Sequence, residues 1–141
     1  MLQKTITLRA VNASDFRFLF NLLKERDPKA NISHKNMPTY LEHVKFVESK
    51  PYSKWYVIEN SKTKVGSIYL SKNDEIGIFL KKRYHNMGIA NKALELLVEK
   101  NPQERYLANV NPKNSNSIKF FKKNNFKLIQ YTYEKPIGTK N

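Results

Sequence analysis

Residues 75–90, EIGIFLKKRYHNMGIA, change from a strand pattern to a helical one across a single loop that closes on a glycine. In the first half Ile76, Ile78, Phe79 and Leu80 are the branched and aromatic residues of a strand; in the second, Ile89, Ala93, Leu96 and Leu97 recur at helical spacing. The loop between them holds Lys81, Lys82, Arg83, Tyr84, His85, Asn86, Met87 and Gly88. A helix that opens at Gly88 has first-turn N–H groups with no intrahelical acceptor and a partial positive charge, which suits a pyrophosphate. Gly88 has no side chain to hold such a group off the backbone.

Two glycine motifs are excluded, because the chain has four glycines and neither the P-loop G-x-x-x-x-G-K-[ST] nor the dinucleotide fingerprint G-x-G-x-x-G. The hexapeptide His85, Asn86, Met87, Gly88, Ile89, Ala90 resembles motif A of the GNAT superfamily of N-acetyltransferases, Q/R-x-x-G-x-G/A, with His85 replacing the usual first residue. A glycine at a helix start is common punctuation, so the second match matters more. YLANVN at 106–111 reads as a strand, and NSNSIKFFKKNNF follows with Asn114, Ser117, Ile118, Phe121, Lys123 and Phe126 at the family's offsets. Asn125 stands where glycine is usual, and Asn is the next most tolerant residue of a left-handed helix end. With both motifs in order, the chain resembles small bacterial-type GNAT acetyltransferases of amino sugars and other small molecules.

The 141 residues are one domain's length, with no composition shift or repeat, so a single domain over 1–141 is expected. There is no cysteine, which excludes disulfides, thiolate metal sites and a cysteine nucleophile. His34, His43 and His85 lack metal-ligand spacing, so no metal is expected. No apolar run approaches 18 residues and the start, MLQKTITLRA, lacks a signal peptide's apolar stretch, so a cytoplasmic protein with no membrane partner is expected. The net charge of +14 either solvates the surface or serves an anionic partner. KRYHN has one tyrosine and no RNP-like pattern, which argues against nucleic acid.

Residues 4–11 alternate as a strand. Asn12 with Asp15 then caps a helix whose face carries Phe16, Leu19, Phe20 and Leu23. A polar loop spans 27–37, after which Thr39 and Glu42 form a capping box before a helix with Tyr40, Leu41, Val44 and Val47 as its buried face. Strands at 54–60 and 64–72 make a hairpin, the fourth strand starts near Glu75, and a helix runs from about Gly88 to before Pro102. A strand at 104–110, a helix near 114–124 and a strand at 126–134 complete the order βααβββαβαβ. The resemblance implies an α+β fold: a mixed, largely antiparallel sheet between helices on both faces (an α/β/α sandwich), splayed between the fourth and fifth strands. Gly77, inside a strand, signals a bulge or a close approach. The resemblance adds a bulge near Ile78 to Leu80 that frees backbone groups for pantetheine.

The resemblance also implies acetyl-CoA as cofactor. Ile78, Phe79 and Leu80 then border the pantetheine arm, and His85, Asn86, Met87, Gly88, Ile89, Ala90 and Asn91 cradle the pyrophosphate. Asn109, Asn114, Phe121 and Lys123 complete the cofactor site, with Lys81, Lys82, Lys119 and Lys122 nearby. His85 is expected to act through its backbone N–H.

Acyl transfer from a thioester to an amine needs a base, an oxyanion donor and a proton or positive field for the thiolate. The backbone N–H at Leu80 is the donor the resemblance implies. Glu75 is the leading base, against the alternative of an inert strand-end glutamate. Relatives carry a tyrosine acid seven residues after the motif B asparagine, where this chain has Phe121. Three explanations stand: another tyrosine (Tyr133, Tyr131 or Tyr84) reaches the sulfur, the thiolate leaves on solvent, or catalysis is lost. Asn111 is an expected acceptor contact, and His34 is either an acceptor contact or a second candidate base, against the alternative of a solvated loop histidine.

Transfer of an acetyl group to a primary amine of a small molecule, such as an amino sugar, is the leading function. The alternatives are a protein N-terminal or lysine acetyltransferase and a non-catalytic CoA- or RNA-binding module. A homodimer is left open.

Overall fold

The computed structural model describes residues 5–26 and 36–138. Strand β1 (Ile6–Ala10) leads through a 3-10 turn, Ala13–Asp15, into α1 (Phe16–Glu25). Asn12 and Asp15 form the capping box of that turn. Helix α2 (Tyr40–Glu48) opens on the second one, with Glu42 N donating to Thr39 Oγ1 at 3.1 Å and Thr39 N to Glu42 Oε1 at 2.8 Å. Its inward face differs from the expected one. His43 and Val47 are buried, whereas Leu41 is 62% exposed, because the i, i+3, i+7 row from Tyr40 passes through His43 and leaves Leu41 a hundred degrees aside.

Strands β2 (Lys54–Asn60) and β3 (Thr63–Leu70) form the hairpin, closed by Ser61 and Lys62 at φ 49° and 72°, the left-handed pair of a type I′ turn. With β4 (Ile76–Leu80) they make an antiparallel sheet in the order β1-β2-β3-β4. Helix α3 (Ile89–Lys100) covers one face, packing Ile89, Ala93, Leu94 and Leu97 against Ile58, Ile68, Leu70 and Ile76. Each of these leucine and isoleucine side chains contributes roughly 1.5–3 kcal/mol on full burial. Helix α2 lies on the other face, where Phe46 meets Trp55 edge-on, and helix α4 (Ser115–Lys123) carries Phe120 to the edge of the α3 core.

Three expectations are corrected. The only register break in the β2/β3 and β3/β4 ladders is between Ile58 and Glu59 in β2; β4 pairs with β3 without a bulge, from Leu70↔Ile76 to Gly66↔Leu80. The expected fifth strand is reduced to one parallel bridge, Glu75 to Leu107, with Ile76 N donating to Leu107 O and Leu107 N to Asp74 O, both at 2.8 Å. Beyond it, Asn109 and Asn111 turn their side chains to Glu75 and the Lys113 N–H, and Pro112 has no N–H to offer a ladder. The expected sixth strand, 126–134, joins no ladder among the described residues, and Leu128, Ile129, Tyr131 and Tyr133 in it are 61–88% exposed. Its alternation is local, but a strand is made by pairing with a neighbour, and no described strand pairs with it.

Candidate active site

β4 has one edge occupied and one largely open. Hydrogen bonds from Ser71 N to Glu75 O and from Lys81 N to Val65 O show that the odd-numbered residues turn their backbone groups to β3. Ile76, Ile78 and Leu80 therefore turn theirs the other way. Ile76 N–H is engaged by Leu107, and past that bridge the neighbouring segment departs, so the Ile78 and Leu80 N–H groups face the gap. The divergence of the neighbour, not a bulge, frees these groups.

The gap runs into the loop before α3. Lys82–Tyr84 form a 3-10 turn in which His85 N donates to Lys82 O at 3.1 Å. The His85 backbone N–H is thus engaged, contrary to expectation, and its ring Nε2–H donates to Leu80 O at 3.0 Å, which ties the loop to the strand end. Asn86 and Gly88 both have positive φ, 60° and 78°. Alternation of this kind turns successive N–H groups into a concave anion nest. Gly88 is also the α3 N-cap, with no side-chain cap and no acidic residue in the first turn. The first intrahelical bond is Lys92 N to Gly88 O, so Ile89, Ala90 and Asn91 N–H have no helical acceptor. A Cβ built on Gly88 would meet nothing within 4 Å, so its surroundings have room for a ligand. An extended arm ending in a pyrophosphate fits an open strand edge that leads to an uncapped helix start.

The remaining expected residues divide. Glu75 is held at its carboxylate by Asn109 Nδ2 (2.7 Å to Oε2) and Ser71 Oγ (3.2 Å to Oε1), so Asn109 reaches the base candidate from across the seam. Asn91 Oδ1 accepts from Asn124 Nδ2 at 2.9 Å, which brings the C-terminal end of α4, with Lys122 and Lys123, to the start of α3. Asn114 caps α4, its Oδ1 accepting from Ser117 N at 3.2 Å. Asn111 shapes the preceding turn through Lys113 N. Phe121 packs edge-on to Phe120 and Phe126, at 5.1 and 5.0 Å between ring centres. Lys81 points its ammonium at the Phe18 ring, 5.8 Å away, rather than at the loop. Tyr133 is 88% exposed, stacks on Tyr131 and is not brought to β4. Tyr84 packs against the α3 core. His34 lies outside the described residues. Among the described residues no group of three or more His, Cys, Asp or Glu could hold a metal, and no helix is long and apolar enough to cross a membrane.

A second cluster gathers Gly77 and Phe79 with Tyr52, Tyr69, Trp55 and Arg26. Tyr69 stands opposite Gly77 in the ladder, and its ring covers that glycine so closely that a Cβ would lie 2.6 Å from the hydroxyl. Close approach is therefore what Gly77 permits. Tyr52 stacks on Tyr69 with centroids 3.8 Å apart and planes 3° apart, and Trp55 meets Tyr52 edge-on at 4.8 Å. The Arg26 guanidinium sits 4.0 Å over the Phe79 ring. Burial lowers Arg26 from its usual pKa and raises both Tyr52 and Tyr69, so both phenols stay protonated. The legible signal was the glycine itself, in a strand beside a tyrosine; nothing local marked Arg26.

Residues 5–127 match the family described as acetyltransferase (GNAT) domain. Among solved structures, a domain from Methanocaldococcus jannaschii is similar at 22% identity and a TM-score of 0.80, covering 94% of each chain. RimL, a ribosomal alpha-N-protein acetyltransferase in complex with coenzyme A, is similar at 19% identity and a TM-score of 0.75, over 92% of this chain and 84% of that one. The spermidine/spermine N-acetyltransferase SpeG from Vibrio cholerae is similar at 17% identity and a TM-score of 0.65, over 84% and 77%. Comparison with curated proteins returned no match. The family match spans most of the chain, and the mixed sheet with helices on both faces is the fold of these neighbours, so the chain belongs to the GNAT acetyltransferases.

Proposed function

We propose that this protein transfers the acetyl group of acetyl-CoA to a primary amine of a small molecule, such as an amino sugar. The observation that carries the reading is the continuity between the open β4 edge at Ile78 and Leu80 and the uncapped α3 start at Gly88. The N–H groups of Ile89, Ala90 and Asn91 hold the pyrophosphate, with Lys122 and Lys123 at the neighbouring end of α4 adding positive field. The Ile78 backbone pairs with the pantetheine arm as a strand would, which leaves the Leu80 N–H for the reacting carbonyl. Acetyl-CoA, when bound, supplies the thioester to be attacked.

The chain's own residues do the rest. A backbone N–H on the open edge, at Leu80, faces the carbonyl oxygen as charge gathers on it. Glu75 takes the proton of the amine through water, oriented by Asn109 and Ser71. The thiolate takes its proton from solvent, since Phe121 has none to give and Tyr133 stands away from β4. The neighbours' names, a protein acetyltransferase and a polyamine acetyltransferase, show that one fold serves different acceptors, and a protein acceptor is the alternative.

Release of free thiol from acetyl-CoA over a panel of amines tests the reading. Amine-dependent release supports it. Coenzyme A that binds with no amine acetylated would point to a binding module instead.

A further inference from the structure

From the cluster beside Glu75 we infer the acceptor's class: an amine that also carries an anionic group, phosphate or carboxylate, a ring's length away, with Arg26 as the residue that selects it. The inference rests on the acetyltransferase reading above. Glu75, Gly77 and Phe79 lie on one face of β4 by the strand's two-residue period, with Tyr69 covering the middle position. Glu75 stands at one end of this row and the Arg26 guanidinium, over Phe79, at the other. Four strand residues span roughly 13 Å of backbone. Side chains that lean together shorten this, but an α-amino acid, with both groups on one carbon, is too short to reach.

The charges have a direction. The carboxylate of Glu75 suits the amine, and the positive charge of the guanidinium suits a carboxylate or phosphate. The stacked Tyr52 and Tyr69 rings stand between them as an apolar wall. A polyamine would bring a second cation toward Arg26. The excess of 26 basic over 12 acidic residues disfavours a polycation further and draws an anion in. The same fold that acts on spermidine elsewhere is thus set here for an acceptor of opposite character.

The test compares kcat/KM for anionic amines and their uncharged analogues with the full-length chain: glucosamine phosphate against glucosamine, and aminomethylbenzoate against its amide, with spermidine as the polycation. The anionic member of at least one pair is expected to be preferred about ten- to a hundredfold, the worth of a hydrogen-bonded charge pair; which pair responds tells phosphate from carboxylate. In Arg26→Gln that ratio should fall to about one, and in Arg26→Lys, which keeps the charge without the guanidinium, it should lie between. Equal use of charged and uncharged acceptors by the parent, a preference for spermidine, or an Arg26→Gln variant that lowers both members by the same factor would overturn the inference while leaving acetyl transfer intact. If Arg26→Gln does not fold, the parent's own ratio and that of Arg26→Lys decide. Failure of every amine, with coenzyme A still bound, overturns the acetyltransferase reading and this inference with it.

Discussion

Asn109 Nδ2 donates to Glu75 Oε2 at 2.7 Å, across the seam where the chain's only parallel bridge among the described residues joins β4 to its neighbour. The residue proposed as base is therefore oriented from the far side of the cleft. Glu75→Gln should keep fold and cofactor affinity and reduce turnover roughly a hundred- to ten-thousandfold. The deficit should narrow at high pH, where free amine is abundant. A pH–rate profile parallel to the parent's would make Glu75 a strand-end residue. Asn109→Ala, which releases one carboxylate oxygen, should lower kcat only a few-fold.

Gly88→Val puts a β-branched residue at φ 78° and fills the open space over the loop. The backbone strain costs about 1–2 kcal/mol, so the protein should still fold. Acetyl-CoA should give no heat in titration calorimetry. Undiminished binding would place the pyrophosphate elsewhere.

Phe121→Tyr adds one hydroxyl to a half-buried ring between Phe120 and Phe126 and should shift stability by no more than about 1.5 kcal/mol. The rate should rise or stay level. Loss of turnover with cofactor still bound would mean that Phe121 packs against the substrate and that solvent is not the proton source.

Asp15 is fully buried beneath Arg9 and Lys64, at 2.8 and 2.7 Å. Burial alone would raise its pKa, but hydrogen bonds from Arg9, Lys64 and the Asn12 N–H outweigh it and hold the carboxyl at about 2. The unfolded chain binds the proton more readily, so this contribution is present at neutral pH and is lost as pH falls from about 4 toward 2. It amounts to about 2 kcal/mol. Asp15→Ala should cost about 3 kcal/mol at pH 7, the low end for a broken buried pair, because Arg9 and Lys64 keep 33% and 30% of their side-chain surface in water. Urea melts at several pH values check both; a parent midpoint flat from pH 5 to 2 would contradict the assignment.

The sequence was most legible where structure is local. Both capping boxes, the glycine start of α3 and its stop before Pro102 depend on residues three or four apart, and the structure has them where the pattern put them. It was less legible where a partner decides the outcome. Residues 104–110 and 126–134 alternate as strands do, yet one makes a single bridge and the other none, because alternation says which way side chains point and not what lies beside the backbone. His85 belongs to the same class: its place in the motif was readable, but the bond from its ring to Leu80 O depends on how the loop folds back. Arg26 meets Phe79 across fifty-three positions, a distance over which spacing carries no signal.

The edge of β4 also lends itself to measurement by amide hydrogen exchange. Gly77 and Phe79 are locked into the β3 ladder and Ile76 is held by Leu107, so these amides should exchange slowly, while Ile78 and Leu80, two positions along the same five-residue strand, should exchange fast. Any molecule that lies down along the gap converts the fast pair to slow without touching the others. Occupancy could then be followed one amide at a time.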